Sequence, residues 1–213
     1  ALVLAAILGN SLNWWLGRVI GGAIRARGGW WIIKATHLER AHAFYERYGA
    51  LSLVLTRWIP VLVMPFACIL VVAGLSTPNV TAVGGERAAE LPDPMPGIMK
   101  LTRHPFLWGV ALWALAHAAA NGDAASLTLF GGMAVLAIGG MPSLDAKTAR
   151  RLGAAWGPIA MRSSLMPFAA VATGRAKLRF AEIGWHRIGG GLILYLVLLL
   201  VHPWIAGKPV FAL

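Results

Sequence analysis

Two histidines mark the ends of one apolar segment, Leu101–Asp123, whose sequence is LTRHPFLWGVALWALAHAAANGD. His104 precedes the apolar core of the segment, and His117 lies near its far end. An imidazole in an apolar, membrane-length helix is costly unless its ring nitrogens bind something. Histidine can ligate a metal or transfer a proton near neutral pH. This segment is therefore the first candidate for chemistry in the chain.

The spacing excludes a single metal centre shared by His104 and His117. They are thirteen residues apart, which is about 20 Å along one helix. His202 matches His117 better, because it lies fourteen residues into the apolar segment Ile188–Ile205 and His117 lies twelve residues into Pro105–Ala120. If both helices run in the same direction, the two imidazoles reach nearly the same depth. His117 and His202 are thus a candidate pair of metal ligands.

Two facing neutral histidines at equal depth are what bis-imidazole ligation of haem requires. Below each histidine, the same helix face carries a glycine and an aromatic side chain, Gly109 with Trp113 and Gly191 with Tyr195. Such a face suits a flat macrocycle. The alternative interpretation is interfacial, because a histidine can also bind a backbone carbonyl or a lipid headgroup, and Trp and Tyr are common at membrane surfaces.

His104 needs its own interpretation because it follows Arg103 at the start of the predicted helix. We expect it to be an interfacial residue. The alternative is ligation of a group at the cytoplasmic side, with His186 as a partner.

The composition predicts an all-α protein, a polytopic integral membrane helical bundle with interfacial or re-entrant helices. The chain has 213 residues, of which 58% are hydrophobic and only 13% are charged, which is far from a soluble composition. Its net charge of +11 comes from basic residues at the ends of apolar segments, as the positive-inside rule describes. We therefore expect membrane lipids, and no nucleic acid, as partners. The single cysteine, Cys68, is predicted to be a small buried apolar residue.

The apolar segments predict the spans. They are Tyr48–Leu75, which Arg57, Pro60 and Pro65 interrupt, followed by Pro105–Ala120, Ala124–Met141 and Ile188–Ile205. Ser76–Gly97 is polar and rich in proline, which predicts a loop. The loop between the second and third segments is so short that these two helices must be antiparallel neighbours. Asp123 is expected to cap the helix that follows it.

The basic region Ser143–Arg187 sets the predicted orientation. Its eight Lys and Arg residues place it in the cytoplasm. Within it, Gly153–Thr173 is predicted to form a pair of short interfacial or re-entrant helices. Near the beginning of the chain, Ala1–Leu16 is too short for a clean span, and Arg18–Arg47 is predicted to lie at the membrane surface. A full span at Tyr48–Leu75 would put those basic residues outside, so that segment is re-entrant or the first third has a separate origin.

From about Pro60 onward the chain resembles the NnrU family. Four ordered words carry the resemblance: AGLSTPN at Ala73–Asn79, the segment Leu101–Gly132, RSSLMPFAAVATGR at Arg162–Arg175, and HPWIAG at His202–Gly207. The resemblance implies a multi-pass protein of the bacterial inner (cytoplasmic) membrane that is linked to denitrification through nitrite and nitric oxide reductases. Related proteins are 15-cis-zeta-carotene isomerases that use haem b.

The resemblance implies that the chain is a haem-binding membrane protein. The activity that it implies is cis–trans isomerisation of a hydrophobic polyene. By motif, the candidate cofactor-binding histidines are His104, His117 and His202. The alternative is a non-enzymatic membrane accessory protein of the reductase system, in which the histidines are structural.

Residues 1–60 are similar to a different family, the DedA/YqaA-type membrane proteins. The similarity is carried by GNSLNWWLGRVIGG at Gly9–Gly22 and ERYGALSLVLTRWIPVL at Glu46–Leu62. No acidic residue precedes Glu39, so the acidic site expected of a proton-coupled DedA transporter is missing. We therefore predict two parts, a DedA-like segment over residues 1–60 and an NnrU-like transmembrane domain over residues 61–213, and we rank a DedA-like transporter last.

Overall fold

A computed structural model describes Arg47 and residues 58–121 and 123–207. The predictions for Ala1–Leu16, and for Arg18–Arg47 apart from its last residue, lie outside these residues. So does the first part of Tyr48–Leu75.

The described part of the chain is helical and contains no strand, which confirms the all-α fold class. Short 3-10 turns at Glu86–Glu90, Gly97–Lys100 and Gly153–Ala155 lie between the helices. The helices are α1 (Trp58–Ser76), α2 (Pro105–Ala120), α3 (Ala124–Leu152), α4 (Trp156–Met161), α5 (Ala169–Ala172), α6 (Phe180–Ile183) and α7 (Trp185–Ala206).

Three stretches of helix are long and apolar enough to cross a membrane: α1, α3 with its continuation to Met161, and α7. The apolar helix α2 has 16 residues and is therefore about 24 Å long, somewhat short of a hydrocarbon core of about 30 Å. Large apolar side chains such as Leu136 and Leu200 are exposed to 72% and 70%. Such exposure suits contact with lipid, and the chain is a multi-pass membrane protein.

The predicted segments match the helices except at prolines and at the start of α7, which begins at Trp185 instead of Ile188. Helix α2 has the predicted bounds. Helix α3 was expected to end at Met141, but it continues through Pro142 to Leu152. Helix α1 likewise runs unbroken through Pro60 and Pro65. A proline removes one helical hydrogen bond at a finite cost, and in α1 and α3 that cost does not end the helix. Cys68 is 3% exposed within α1, as predicted.

The region after α3 consists of short helices, as predicted for Gly153–Thr173, and their interfacial or re-entrant position stays a prediction. Gly153 has a positive φ of 54° and starts a 3-10 turn that leads into α4. The predicted loop Ser76–Gly97 contains only 3-10 turns, and its Met95 lies in the hydrophobic core with Ile98 and Met99.

Close glycine contacts hold α2 and α7 against α1. A Cβ atom at Gly109 would lie 2.7 Å from Val71 Cγ2 and 2.8 Å from the Ala67 carbonyl oxygen. A Cβ atom at Gly191 would lie 2.5 Å from Ile69 Cα. Both glycines therefore allow backbones to approach closely, as small residues do in membrane helix packing.

The chain divides into two compact units. One comprises Val63–Trp113 and Met133–Leu200 and contains the glycine contacts described above. The other includes Ala114–Gly132 and, from Val201, the end of α7.

The glycine contacts yield a prediction for Gly191→Ala. Its new methyl group would overlap the α1 backbone at Ile69, so we expect a loss of about 1–3 kcal/mol of stability. Thermal unfolding of the detergent-solubilised chain measures it. Gly189→Ala is the matched control on the same helix, because a Cβ atom at that position would have no neighbour within 4 Å. Equal melting temperatures for both variants would contradict the packing role.

Candidate functional site

Three consecutive polar residues are buried where α2 begins. Thr102, Arg103 and His104 are exposed to only 0%, 9% and 2%. Pro105 occupies the first helical position, where its missing N–H costs nothing. Three polar side chains in a row cannot be buried unless each finds a hydrogen-bond partner.

Arg103 is paired with Asp145 of α3. Its Nη2 lies 2.6 Å from Asp145 Oδ2, and its Nε lies 3.2 Å from the same oxygen. Its Nη1 donates to Ser163 Oγ at 3.2 Å, and the guanidinium carbon lies 5.4 Å from the centroid of the Trp156 ring. The pair is largely buried, with side-chain exposures of 11% and 16%. A carboxylate and the face of an aromatic ring thus offset the charge of the buried guanidinium.

The same carboxylate also contacts His104. Asp145 Oδ1 lies 2.8 Å from His104 Nε2. The other ring nitrogen, Nδ1, lies 3.4 Å from Thr81 Oγ1. The ring of His104 is therefore buried and contacts protein groups on both sides, and its interfacial position stays a prediction. Its partners are Asp145 and Thr81 rather than His186.

The segment Ser163–Phe168 wraps around the start of α2. The Arg103 N–H donates to the Ser164 carbonyl oxygen and the Phe168 N–H donates to the Leu101 carbonyl oxygen, each at 2.9 Å. The Leu165 carbonyl oxygen accepts from Thr102 Oγ1 at 2.8 Å and from Trp108 Nε1 at 2.9 Å. Phe168 has a φ of 64°, a conformation that non-glycine residues rarely adopt. The surrounding bonds hold it there.

A second loop closes the cluster from the other side. Asn79 Oδ1 accepts from both the N–H and the hydroxyl of Thr81 at 2.8 Å. The Asn79 amide nitrogen donates to the Arg103 carbonyl oxygen at 3.4 Å, and Thr81 Oγ1 lies 3.2 Å from the same oxygen. Three of the sequence words named above, STPN, LTRHPF and RSSLMPF, therefore meet in one place.

We call this group the polar cluster; it comprises Thr81, Thr102, Arg103, His104, Asp145 and Ser163. Each side-chain nitrogen and oxygen of Arg103, His104 and Asp145 has a protein partner. A fully satisfied, buried network of this kind rigidifies and orients the elements that carry it. Among the residues that the structure describes, no group of three or more His, Cys, Asp or Glu could hold a metal ion.

The three histidines predicted as ligands lie in different surroundings. His104 already uses both ring nitrogens in the polar cluster. His117 is half-buried on α2, with its ring centroid 5.1 Å from that of Phe130 and the planes tilted by 37°. His202 is half-buried on α7. His117 and His202 belong to the same compact unit, and their ligation of iron stays a prediction.

The residues near these histidines fit haem in one respect and not in another. Two half-buried imidazoles on apolar helices are suitable donors. The sequence predicts that Gly109 and Gly191 lie beneath a flat macrocycle. In the structure both glycines are packed against α1 instead. They provide no cradle for a ring.

Sequence reasoning missed Asp145 as a functional residue. It identified Asp123 as the acidic residue near a span end, and Asp123 does cap α3, because its Oδ1 accepts from the Ser126 N–H at 2.9 Å. A signal for the other aspartate was present, since Asp145 and Glu182 are the only acidic residues within the basic region Ser143–Arg187. One of only two carboxylates among eight cations is a candidate counter-ion.

Comparison with protein families gives one extended match. The model of the family described as "NnrU protein" matches residues 26–210. The match includes part of the segment 1–60, and the boundary at residue 60 stays a prediction.

Curated relatives match shorter stretches. The 15-cis-zeta-carotene isomerases of Zea mays and Arabidopsis thaliana are 37% and 35% identical over 82 residues, which is 38% of this chain and 22% of each relative. Protein DedA of Escherichia coli K12 is 30% identical over 60 residues, 28% of this chain and 27% of DedA. The chain thus spans about a quarter of the length of these relatives. No solved structure matches the chain.

The polar cluster predicts a large effect for Asp145→Ala. It would leave Arg103 buried without its carboxylate, and removing one partner of a buried pair costs about 3–5 kcal/mol. Thermal or denaturant unfolding in detergent measures the loss. Glu90→Gln, which removes an exposed carboxylate, is the control and should change little. Unchanged stability of Asp145→Ala would contradict the proposed role of the ion pair.

Proposed function

The chain belongs to the NnrU family, and from this premise we propose that it is a haem-binding membrane protein that isomerises a cis double bond in a polyene lipid such as a carotene. The observation that carries the proposal is the similarity to plant 15-cis-zeta-carotene isomerases over more than a third of the chain. The apolar helices support it, because a carotene-like substrate partitions into the hydrocarbon region where those helices lie.

In this proposal His117 and His202 hold the haem. They are half-buried residues of one compact unit, on two apolar helices. Neutral imidazoles are the usual nitrogen ligands of haem iron. Bound haem would supply an iron centre that can change its oxidation state.

The polar cluster has a structural role in the same proposal. It fixes Arg103 and His104, the two residues that precede α2, within the unit formed by Val63–Trp113 and Met133–Leu200. A fully paired buried network of this kind rigidifies the elements that carry it. In this proposal His104 belongs to that network and does not contact the iron.

The proposal also places the protein in the bacterial inner membrane. The family resemblance supports this location, and so does the similarity to a DedA protein of Escherichia coli.

Haem binding is tested by absorbance. The full chain, purified in detergent after expression with haem supplementation, should show a Soret band. His117→Ala and His202→Ala should each shift or abolish that band, because each removes one of the two imidazoles that would hold the haem. His186→Ala is the matched control, since His186 is an exposed histidine at the start of α7. Absence of a Soret band in the unmodified chain would refute haem binding.

A second candidate is a non-enzymatic accessory protein of nitrite and nitric oxide reductases. The observation that favours it is the polar cluster, which is closed and fully paired, as in a structural element. Its histidines would then be structural as well.

An isomerisation assay separates the two candidates. Haem-loaded protein in detergent should convert a 15-cis carotene to its trans isomer without changing its mass, as chromatography with mass spectrometry would show. His117→Ala should lower the rate at least tenfold, the scale expected when a cofactor ligand is lost. If the carotene stays unchanged, and deletion of the gene instead lowers nitrite reductase activity in the cell, the accessory role replaces the isomerase.

A further inference from the structure

A basic cavity lies in the unit formed by Val63–Trp113 and Met133–Leu200. Its volume is about 470 Å³, which is large enough for a small ligand or headgroup. Two carboxylates and five basic side chains line it, which leaves a formal charge of +3. The basic residues are Lys100, Arg162, Arg175, Lys177 and Arg179.

Both carboxylates of the cavity form ion pairs with the same lysine, Lys100. Lys100 Nζ lies 2.6 Å from Glu182 Oε2 and 3.2 Å from Asp93 Oδ2. The hydrogen bond to Glu182 raises the pKa of Lys100 above its usual value, and the contact with Asp93 raises this pKa further. These three residues form a closed group, so little negative charge is left to compensate the other four cations.

The remaining four cations are exposed, and three of them lie within five residues of one another at Arg175, Lys177 and Arg179. Arg162 and Lys177 have no ion pair within the described part of the chain. The side chain of Arg179 is 81% exposed, and its Nε lies 3.9 Å from Glu182 Oε1. Such long, weakly compensated side chains can turn their donors toward an anion.

Arg175 is held in place at the wall of the cavity. Its Nε donates to Thr173 Oγ1 at 2.9 Å, and its Nη1 donates to the Met161 carbonyl oxygen at 3.3 Å. Neither of these partners is charged, so neither compensates the positive charge of the guanidinium. A guanidinium fixed by neutral groups is a suitable anchor for phosphate oxygens.

The lining excludes the polyene as the occupant of this cavity. Its walls are predominantly charged, and an apolar chain would not displace water from them. A phosphate group is the ligand that fits, because it carries negative charge and several acceptor oxygens for Arg and Lys donors. Basic pockets near membrane helices bind phosphate-bearing headgroups in this way.

We propose that this cavity is a binding site for a phosphate group, carried either by the headgroup of an anionic lipid or by a free phosphate compound. The site is independent of the haem proposal. Arg162, Arg175 and Lys177 provide the charge, and Lys100 with its two carboxylates forms the fixed wall.

The test uses the full chain in detergent and two matched double variants. Arg162→Gln with Lys177→Gln removes two cavity charges. Lys147→Gln with Arg150→Gln removes two exposed charges of α3 that do not line the cavity. Native mass spectrometry then compares retention of phosphatidylglycerol and phosphatidylcholine, and calorimetry measures binding of inorganic pyrophosphate. Thermal unfolding checks that both variants are folded.

The expected result is selective retention of phosphatidylglycerol that falls about tenfold or more in the cavity variant, since two basic residues that attract the phosphate are removed. The control variant should retain it. Pyrophosphate binding that is lost only in the cavity variant would support the site and assign the free phosphate source. Equal losses in both variants, or no selective binding of either probe, would overturn the proposal.

Discussion

The burial of one guanidinium constrains the architecture of the described residues. Arg103 is buried at the start of α2, and a buried cation without a counter-ion costs several kcal/mol. The counter-ion is Asp145, whose two oxygens serve both Arg103 and His104. Because Asp145 lies beyond Pro142, α3 has to continue past that proline to deliver the carboxylate.

Other elements follow from the same constraint. The hydrogen-bonding groups around Arg103 and His104 that Asp145 does not contact need neutral partners. These partners come from the loop at Asn79–Thr81 and the segment Ser163–Phe168. The unusual φ of Phe168 belongs to this wrapping, since its N–H reaches the Leu101 carbonyl oxygen. The ends of α1, α2 and α3 in this unit are thus coupled through one polar network. Gly109 and Gly191 then let α2 and α7 approach α1 closely within the same unit.

Charge in this protein is divided between two uses. Arg103 is neutralised and structural, whereas four cations around the basic cavity remain exposed and weakly compensated. The difference arises from burial, because water screens an exposed cation but cannot reach a buried one. The basic region therefore combines a rigid anchor with a surface suited to anions. The histidines divide in the same manner. His104 is hydrogen-bonded within the polar cluster, whereas His117 and His202 lie on apolar helices outside it.

Hydrophobic runs determined the helical class, the membrane location and the positions of α2 and α7, because an apolar stretch of sufficient length has few alternatives to a helix in lipid. Local chemistry also determined the Asp123 cap and the short helices after α3. The role of Asp145 depended on tertiary structure, since forty-one residues separate it from His104 and no local pattern links them. Tertiary packing likewise decided that Gly109 and Gly191 serve contacts with α1. From the sequence alone, a glycine in a helix could contact any of several other helices. Only the assembled structure determines which helix it contacts.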